Sequence, residues 1–178
     1  MIQYERMNKV LPQNFFNRPT LAVSDELLGC FLCRQIGKKT TRLKITETEA
    51  YDGPEDKASH ASRGKTTRNA PMFGKAGQFY VYFTYGIHWM LNIVTGPKDY
   101  PAAILIRGTD KVTGPARLTK FLSIDKSFNK KPATRKTGLW FEDRGEVIKQ
   151  SEIKRTPRVG VAYAGPVWSK KLYRFKTS

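Results

Sequence analysis

Apolar Phe79, Val81 and Phe83 alternate with Tyr80, Tyr82 and Thr84, the period of a strand with one buried face. A break at Tyr85-Gly86 precedes a second apolar run, so residues 78–94 read as a β-hairpin with Tyr85 near its tip. Upstream, Leu21, Leu27, Leu28 and Phe31 mark the apolar positions of residues 20–36, a helix feeding a strand, with Thr20 or Ser24 as its cap. In residues 42–50, Leu43, Ile45, Glu47 and Glu49 share one face at period two, with Thr46 and Thr48 on the other, so a strand ends in carboxylates. Residues 52–77 are rich in Gly, Pro, Lys and Arg and have no sustained period, which predicts a long ordered loop of the kind a compact domain keeps for function. A strand ending at Arg107 and a short helix from Gly114, with Pro115 in its first turn, follow. Residues 125–157 read as irregular, and closing strands are expected over 158–165 and 171–176. The pattern is mixed α and β with hairpin connections, and it lacks the βαβ rhythm of a doubly wound sheet.

Length and charge narrow the class. At 178 residues the chain fits one domain with a real core. Its 32 Lys and Arg against 15 Asp and Glu give a net charge of +17, which concentrates polyanions at the surface and makes nucleic acid the first partner to expect. Residues 1–109 hold 15 basic and 9 acidic side chains and residues 110–178 hold 17 and 6, which suits a broad phosphate-facing surface better than a basic tail. No apolar run approaches the roughly 18 residues that span a bilayer, and residues 1–10 carry no export signal. A soluble intracellular protein without a membrane partner is expected.

Against that charge, Glu47, Glu49, Asp52, Glu55 and Asp56 crowd into ten positions. All but Glu49 are expected to cap turns or pair with the loop's Lys and Arg. Cys30 and Cys33 form one C-x-x-C with no second pair or nearby histidine, so two buried thiols are expected rather than a zinc site. The RGKTT run has Ser59 where a P-loop needs its first glycine. His60 and His88 are the only histidines and no G-x-S-x-G elbow is present, so neither a metal site nor a Ser-His-Asp triad is implied, and no cofactor is expected.

A carboxylate among tyrosines in a basic chain remains. Work on one nucleobase needs the nucleotide out of the stack, aromatic partners for its π-face and a polar group at the bond to be broken. Glu49, Tyr51, His60, Tyr80, Tyr82 and Asn92 are the residue types required. Stacking on two rings, at about 1–3 kcal/mol per base, would offset most of the cost of extrusion. The same tyrosines would also serve cross-strand packing, and charge and aromatics alone would suit a non-catalytic DNA-binding module.

The blocks ETEAYDGPEDKASHASRGKTTRN, MFGKAGQFYVYFTYGIHWMLNI, AAILIRG, GPARLTK and TPRVGVAYAG resemble, in order, those of the alkyladenine (3-methyladenine) DNA glycosylase family, over roughly residues 15–175. The resemblance implies a single α+β domain over residues 1–178, with a curved, largely antiparallel sheet, flanking helices and a protruding β-hairpin. It implies a monofunctional enzyme that flips alkylated or deaminated purines (3-methyladenine, 7-methylguanine, hypoxanthine, ethenoadenine) out of double-stranded DNA and hydrolyses the N-glycosidic bond, leaving an abasic site in base excision repair. By that resemblance Glu49 is the general base, and Arg107 and the Val159 carbonyl help hold the attacking water. Tyr51 and Tyr82 sandwich the base, His60 contacts its edge, and Asn92 crowds the amino group of normal purines; Tyr80, from the aromatic pattern of the hairpin, is expected in the same pocket. Tyr85 wedges into the duplex, flanked by Ile87 and His88, while Arg63, Lys65 and Arg68 contact phosphates. The loop after His60 is one residue shorter than in the family pattern, and Ile87-His88 stand where a methionine and an aromatic can occur. A monomer is expected, in the cytoplasm of a prokaryote or the nucleus of a eukaryote. A glycosylase that also cuts the strand through a lysine Schiff base is the alternative within the class.

Overall fold

Strand β3 (Lys39–Asp52) is the spine of the computed structural model, which describes residues 8–178. Residues 1–7, most of the segment read as lacking an export signal, lie outside the described residues. The first half of β3 pairs with β2 (Phe31–Ile36) through a tight turn in which Gly37 takes a φ of 59°. Its second half pairs with β6 (Ala102–Thr109) on one side and β9 (Arg174–Thr177) on the other. Around this spine an antiparallel sheet of nine strands runs β1 (Lys9–Val10), β7 (Leu139–Asp143), β2, β3, β6, β5 (His88–Val94) and β4 (Phe79–Thr84), and β8 (Ile153–Thr156) joins through β9. Among the described residues, four short helices complete the α+β fold: α1 (Gln13–Phe16), α2 (Thr20–Glu26), α3 (Pro115–Phe121) and α4 (Gly165–Trp168). Among the described residues, no helix is long and apolar enough to cross a membrane.

Helices α2 and α3 cover one face of the sheet. There Val23, Leu27, Leu118 and Leu122 meet Leu32, Leu43, Ile45, Ile93, Ile104 and Phe141 in the main core. Pro115 opens α3 at the position where a missing N–H costs nothing. The expected caps of α2 are absent, since Pro19 precedes the helix and neither hydroxyl caps it. Thr20 donates instead to Asp52, and Ser24 and Thr48 share a buried hydrogen bond. Tertiary partners have claimed both side chains.

The single face expected for Leu43, Ile45, Glu47 and Glu49 is interrupted. Between Ile45 and Thr48 the pairing of β3 with β6 shifts register twice in opposite senses, at Glu47 and back again at Thr48, a bulged stretch beyond which the side chains of β3 alternate the other way. Leu43 and Ile45 lie in the main core before the bulge, and Ala50 lies there after it. Glu47, Glu49 and Tyr51 consequently face away from that core. Without the bulge, Glu49 would point into packed leucines and isoleucines.

Two regions differ from the sequence reading. The stretch read as irregular contains β7 and β8, and β7 sits inside the sheet between β1 and β2. Its signal was present in the alternation of Leu139 and Phe141 with Trp140 and Glu142, but it is only five residues long and carries a carboxylate that is buried. Glu142 is accommodated because Trp140 Nε1, Arg42, Arg135 and Arg144 all donate to it. The stretch 158–165 is a turn with a 3₁₀ segment at Ala162–Ala164, because Gly160 and Gly165 adopt φ of 72° and 81°. The last strand begins only at Arg174.

The loop after β3 is ordered by two polar side chains. Asp56 accepts from the N–H groups of Asp52 and Ala58 and from both terminal nitrogens of Arg158. Asn69 donates to the carbonyls of His60 and Gly64 and accepts from Thr66. Asp52 accepts from Thr20 and Tyr100, and Glu47 pairs with Arg107 and Arg174, so these carboxylates take partners from other elements rather than from the loop's own cations. Cys30 and Cys33 are buried and free, and burial pushes both thiols up to about 12.

Candidate active site

Sheet register assembles the site. Tyr80 stands opposite Asn92, Asn92 opposite Leu105, Leu105 opposite Glu49, and Glu49 opposite Arg174, one row across β4, β5, β6, β3 and β9. Neighbouring rows add Tyr82 with Met90, and Val94 with Ala103 and Tyr51. On the face away from the main core all of these except Val94 and Arg174 line a cavity of about 440 Å³, within the range of small-ligand pockets. Loop residues close it: Ala58 and His60, Met72, Val159 to Val161 and Tyr163, with Pro115 and Ala116 from the start of α3.

Glu49 is fully buried at this cavity. Its Oε1 accepts from the Val159 N–H at 2.7 Å and its Oε2 from the Tyr51 hydroxyl at 3.0 Å. Arg107 Nε lies 3.5 Å from Oε1. Burial raises the Glu49 carboxyl above the ordinary carboxylate range, and it outweighs the opposing effects of Arg107, the Val159 N–H, the Tyr51 hydroxyl and Arg174. Such a group is a stronger base once ionised than a solvated glutamate. Burial, with Glu49 adding to it, raises Tyr51 well above the ordinary phenol, so this hydroxyl stays a donor.

The aromatic wall is packed before any ligand arrives. Tyr80 and Tyr82 lie 5.2 Å apart between centroids, and His60 meets Tyr82 edge-on at 4.6 Å. His60 Nδ1 is 3.1 Å from the Tyr80 hydroxyl. Burial and the nearby Arg68 lower the His60 pKa, keeping the imidazole neutral near pH 7. Asn92 donates to the Tyr80 carbonyl, which fixes its amide on the cavity floor.

At the mouth stands the hairpin tip. Tyr85 and Gly86 take φ of 52° and 67° in the turn joining β4 to β5. A tyrosine in that region is strained, yet Tyr85 is 86% exposed. Ile87 beside it is 68% exposed. An aromatic and an isoleucine held out on a strained turn have no folding role that accounts for them.

Glu49, Tyr51, His60, Tyr80, Tyr82, Tyr85, Asn92, Arg107 and Val159 all line the one cavity. The contact Val159 makes with Glu49 is through its N–H, whereas its carbonyl was the group expected to act. Arg63, Lys65, Arg68, Ile87 and His88 are not part of the lining. Arg68 lies over the Tyr82 ring and donates to the Phe83 carbonyl, Lys65 lies over Phe73, and Arg63 is exposed. Sequence reading missed Met72, Met90, Leu105 and Tyr163, which line the cavity, and Arg158 and Arg174, which brace it. Leu105 and Met90 could have been found from strand alternation opposite Glu49 and Tyr82; the rest depend on tertiary contacts. Among the described residues, no group of three or more His, Cys, Asp or Glu could hold a metal ion.

Comparison with known proteins agrees with this geometry. The family model for methylpurine-DNA glycosylase (MPG) matches residues 14–114 and 108–178. A protein of Methanocella arvoryzae, named provisionally as a 3-methyladenine DNA glycosylase, is 41% identical over 176 residues, covering 88% of this chain and 86% of its own length. Proteins with the same provisional name from Psychrobacter cryohalolentis and Wolbachia pipientis wMel are 37% and 40% identical, covering 93% and 95% of this chain and 91% and 92% of their own. With matches across nearly the whole chain and a buried carboxylate set among tyrosines, the chain belongs to the methylpurine-DNA glycosylase family and is a DNA N-glycosylase.

Proposed function

We propose that this glycosylase draws a damaged purine out of duplex DNA into the cavity and hydrolyses its N-glycosidic bond with water activated by Glu49. The observation that carries the reading is the Glu49 carboxylate: fully buried, raised in pKa, fixed by one donor on each oxygen, and beside a cavity walled by Tyr51, Tyr80, Tyr82 and His60. Alkylation at purine N3 or N7 puts positive charge on the base, so the C1′–N bond breaks through an oxocarbenium-like state without an acid on the leaving group. One carboxylate then suffices to take the proton from water and to stabilise the sugar cation. Arg107 helps keep that carboxylate charged, and the Tyr85 tip is shaped to enter the space the nucleotide leaves. Hydrolysis without strand cleavage is favoured because, among the described residues, no lysine lines the cavity to form a Schiff base.

The test uses duplexes carrying single 3-methyladenine, 7-methylguanine, hypoxanthine or ethenoadenine residues. Free base should appear by chromatography from the methylated purines at least, with an intact abasic strand and no adduct on borohydride treatment. A trapped adduct would favour the lyase, and no free base from any duplex would leave only a DNA-binding role. Tyr85→Gly separates wedge from scaffold. Glycine relieves the positive φ, so the melting temperature should hold or rise, while single-turnover base release should drop roughly ten- to a hundredfold for the loss of one aromatic stack.

A further inference from the structure

Glu47 has no part in the reading above, yet it is 4% exposed and holds two guanidinium groups. Its Oε1 accepts from Arg107 Nε at 3.1 Å and from Arg174 Nε at 2.6 Å. The same Arg107 Nε is 3.5 Å from Glu49 Oε1 without donating to it. Arg174 stands opposite Glu49 in the β3–β9 register, but its Nε donates to Glu47. Gly108 lies opposite Glu47 on β6, and a Cβ there would come within 3.3 Å of both the Glu47 Cβ and Oε2. Bare backbone at that point gives the Glu47 carboxylate its room.

We infer that Glu47 is a positioning residue for the hydrolytic site: by taking the Nε–H of Arg107, with Arg174 balancing its charge, it keeps that guanidinium from closing on Glu49 and leaves each Glu49 oxygen a lone pair that no protein donor claims. The inference rests on the reading of Glu49 as the base. Two carboxylates and two guanidinium groups here sum to zero charge. Within that set, Arg107 has its Nε–H committed to Glu47 and acts on Glu49 through charge. Each Glu49 oxygen accepts one protein donor and keeps a second lone pair for solvent. A bidentate pair between Arg107 and Glu49 would fill those lone pairs and depress the Glu49 pKa by about 1–3 units, weakening the base twice over.

Removing the charge of Glu47 frees Arg107 for Glu49, so Glu49 should hold its proton less tightly. Removing the charge of Arg174 takes a cation from Glu49 and tightens the hold of Glu47 on Arg107, so Glu49 should hold its proton more tightly. The other groups acting on Glu49 or standing nearby are Tyr51, Tyr82, Tyr163, Arg158 with its partner Asp56, and His60. Burial raises all three tyrosines, keeping them neutral through the acid range. Asp56 is paired with Arg158, and His60 is common to every variant.

The experiment is a carboxyl titration by ¹³C NMR on glutamate-labelled protein free of DNA, with the Glu49 resonance assigned through Glu49→Gln. Glu47→Gln should lower the Glu49 midpoint by about one pH unit, and Arg174→Gln should raise it by roughly half a unit to one unit. Arg174→Lys, which keeps the charge, should leave it in place. The acid limb of single-turnover base release should move with the midpoint in each variant. Should Glu47→Gln prove too unstable to titrate, the two Arg174 variants decide alone. Unmoved midpoints, shifts of one sign in both charge-removing variants, or losses of release that merely follow loss of folded protein would overturn the inference and make Glu47 a structural brace. Because the titration is read without DNA, a wild-type protein that releases no base counts against the proposed function and not against the inference.

Discussion

Replacing Glu49 by glutamine is expected to slow single-turnover base release by roughly 10²- to 10⁴-fold, the usual contribution of a general base, while lesion-DNA binding is kept and the melting temperature at neutral pH does not fall. Activity and stability separate because of where Glu49 sits. Its carboxylate is fully buried and its pKa is raised, so ionisation at neutral pH costs the folded state free energy. Glutamine removes the charge yet keeps the shape. Its carbonyl oxygen still accepts the Val159 N–H, and the Tyr51 hydroxyl can turn to accept from the amide. Arg107 keeps Glu47 as its acceptor. The cost of ionised Glu49 is fully present above the folded pKa and vanishes as pH falls below the unfolded value, about 4.3 for glutamate. Any stability advantage of the variant should therefore be largest at neutral pH and shrink toward pH 4. The wild-type rate should rise with pH through a midpoint above that same value, because only the ionised form removes a proton from water. Calorimetry at the two pH values and a single-turnover pH profile check both halves. Near-normal release by Glu49→Gln would end the assignment of Glu49 as the base.

The division between what could and could not be read from the chain follows the range of the interactions. The hairpin, α2 feeding β2, the strand carrying Arg107 and α3 behind Pro115 all rest on local periodicity and punctuation, and they stand where the sequence puts them except that β6 runs on to Thr109. Nine of the residues singled out from the sequence line one cavity, although the sequence could not give their distances. The bulge near Glu47 was hidden because alternation in β3 looks unbroken until the pairing with β6 is known. Strand β7 was hidden because Glu142 reads as polar, and its burial is tolerable only because Arg42 from β3 joins Trp140, Arg135 and Arg144 in donating to it. Val-Gly-Val over 159–161 reads as strand by composition, but Gly160 turns the chain so that Val159 can donate to Glu49. In each case the missing information was a partner far away in sequence.

The largest loss of stability is expected from Asp56→Ala. Asp56 and Arg158 are both without exposed side-chain surface, and Arg158 donates from both terminal nitrogens, at 2.5 and 2.8 Å, to the two carboxylate oxygens. Burial works against the Arg158 charge, and its bonds to Asp56 outweigh that effect. Alanine leaves a buried guanidinium with only the Ala50 and Trp168 carbonyls as acceptors. Stranding one member of a buried pair costs about 3–5 kcal/mol, and at about 2–4 °C per kcal/mol for a chain of this size the melting point should fall by roughly 6–20 °C. The consequence reaches the site through two contacts. Arg158 lies under the Tyr51 ring at 4.7 Å, and its backbone leads directly into Val159, the donor to Glu49 Oε1. Arg158→Lys should not substitute, since a single ammonium cannot match the paired oxygens. The double variant Asp56→Ala with Arg158→Met removes both charges, so it should recover part of the lost melting temperature, because an apolar replacement of a buried pair is often close to neutral. Base release should stay low in that variant, because Val159 and Tyr51 have lost what orients them. Recovery of release together with stability would mean that the pair supports the fold alone and that the donor to Glu49 is held by other contacts.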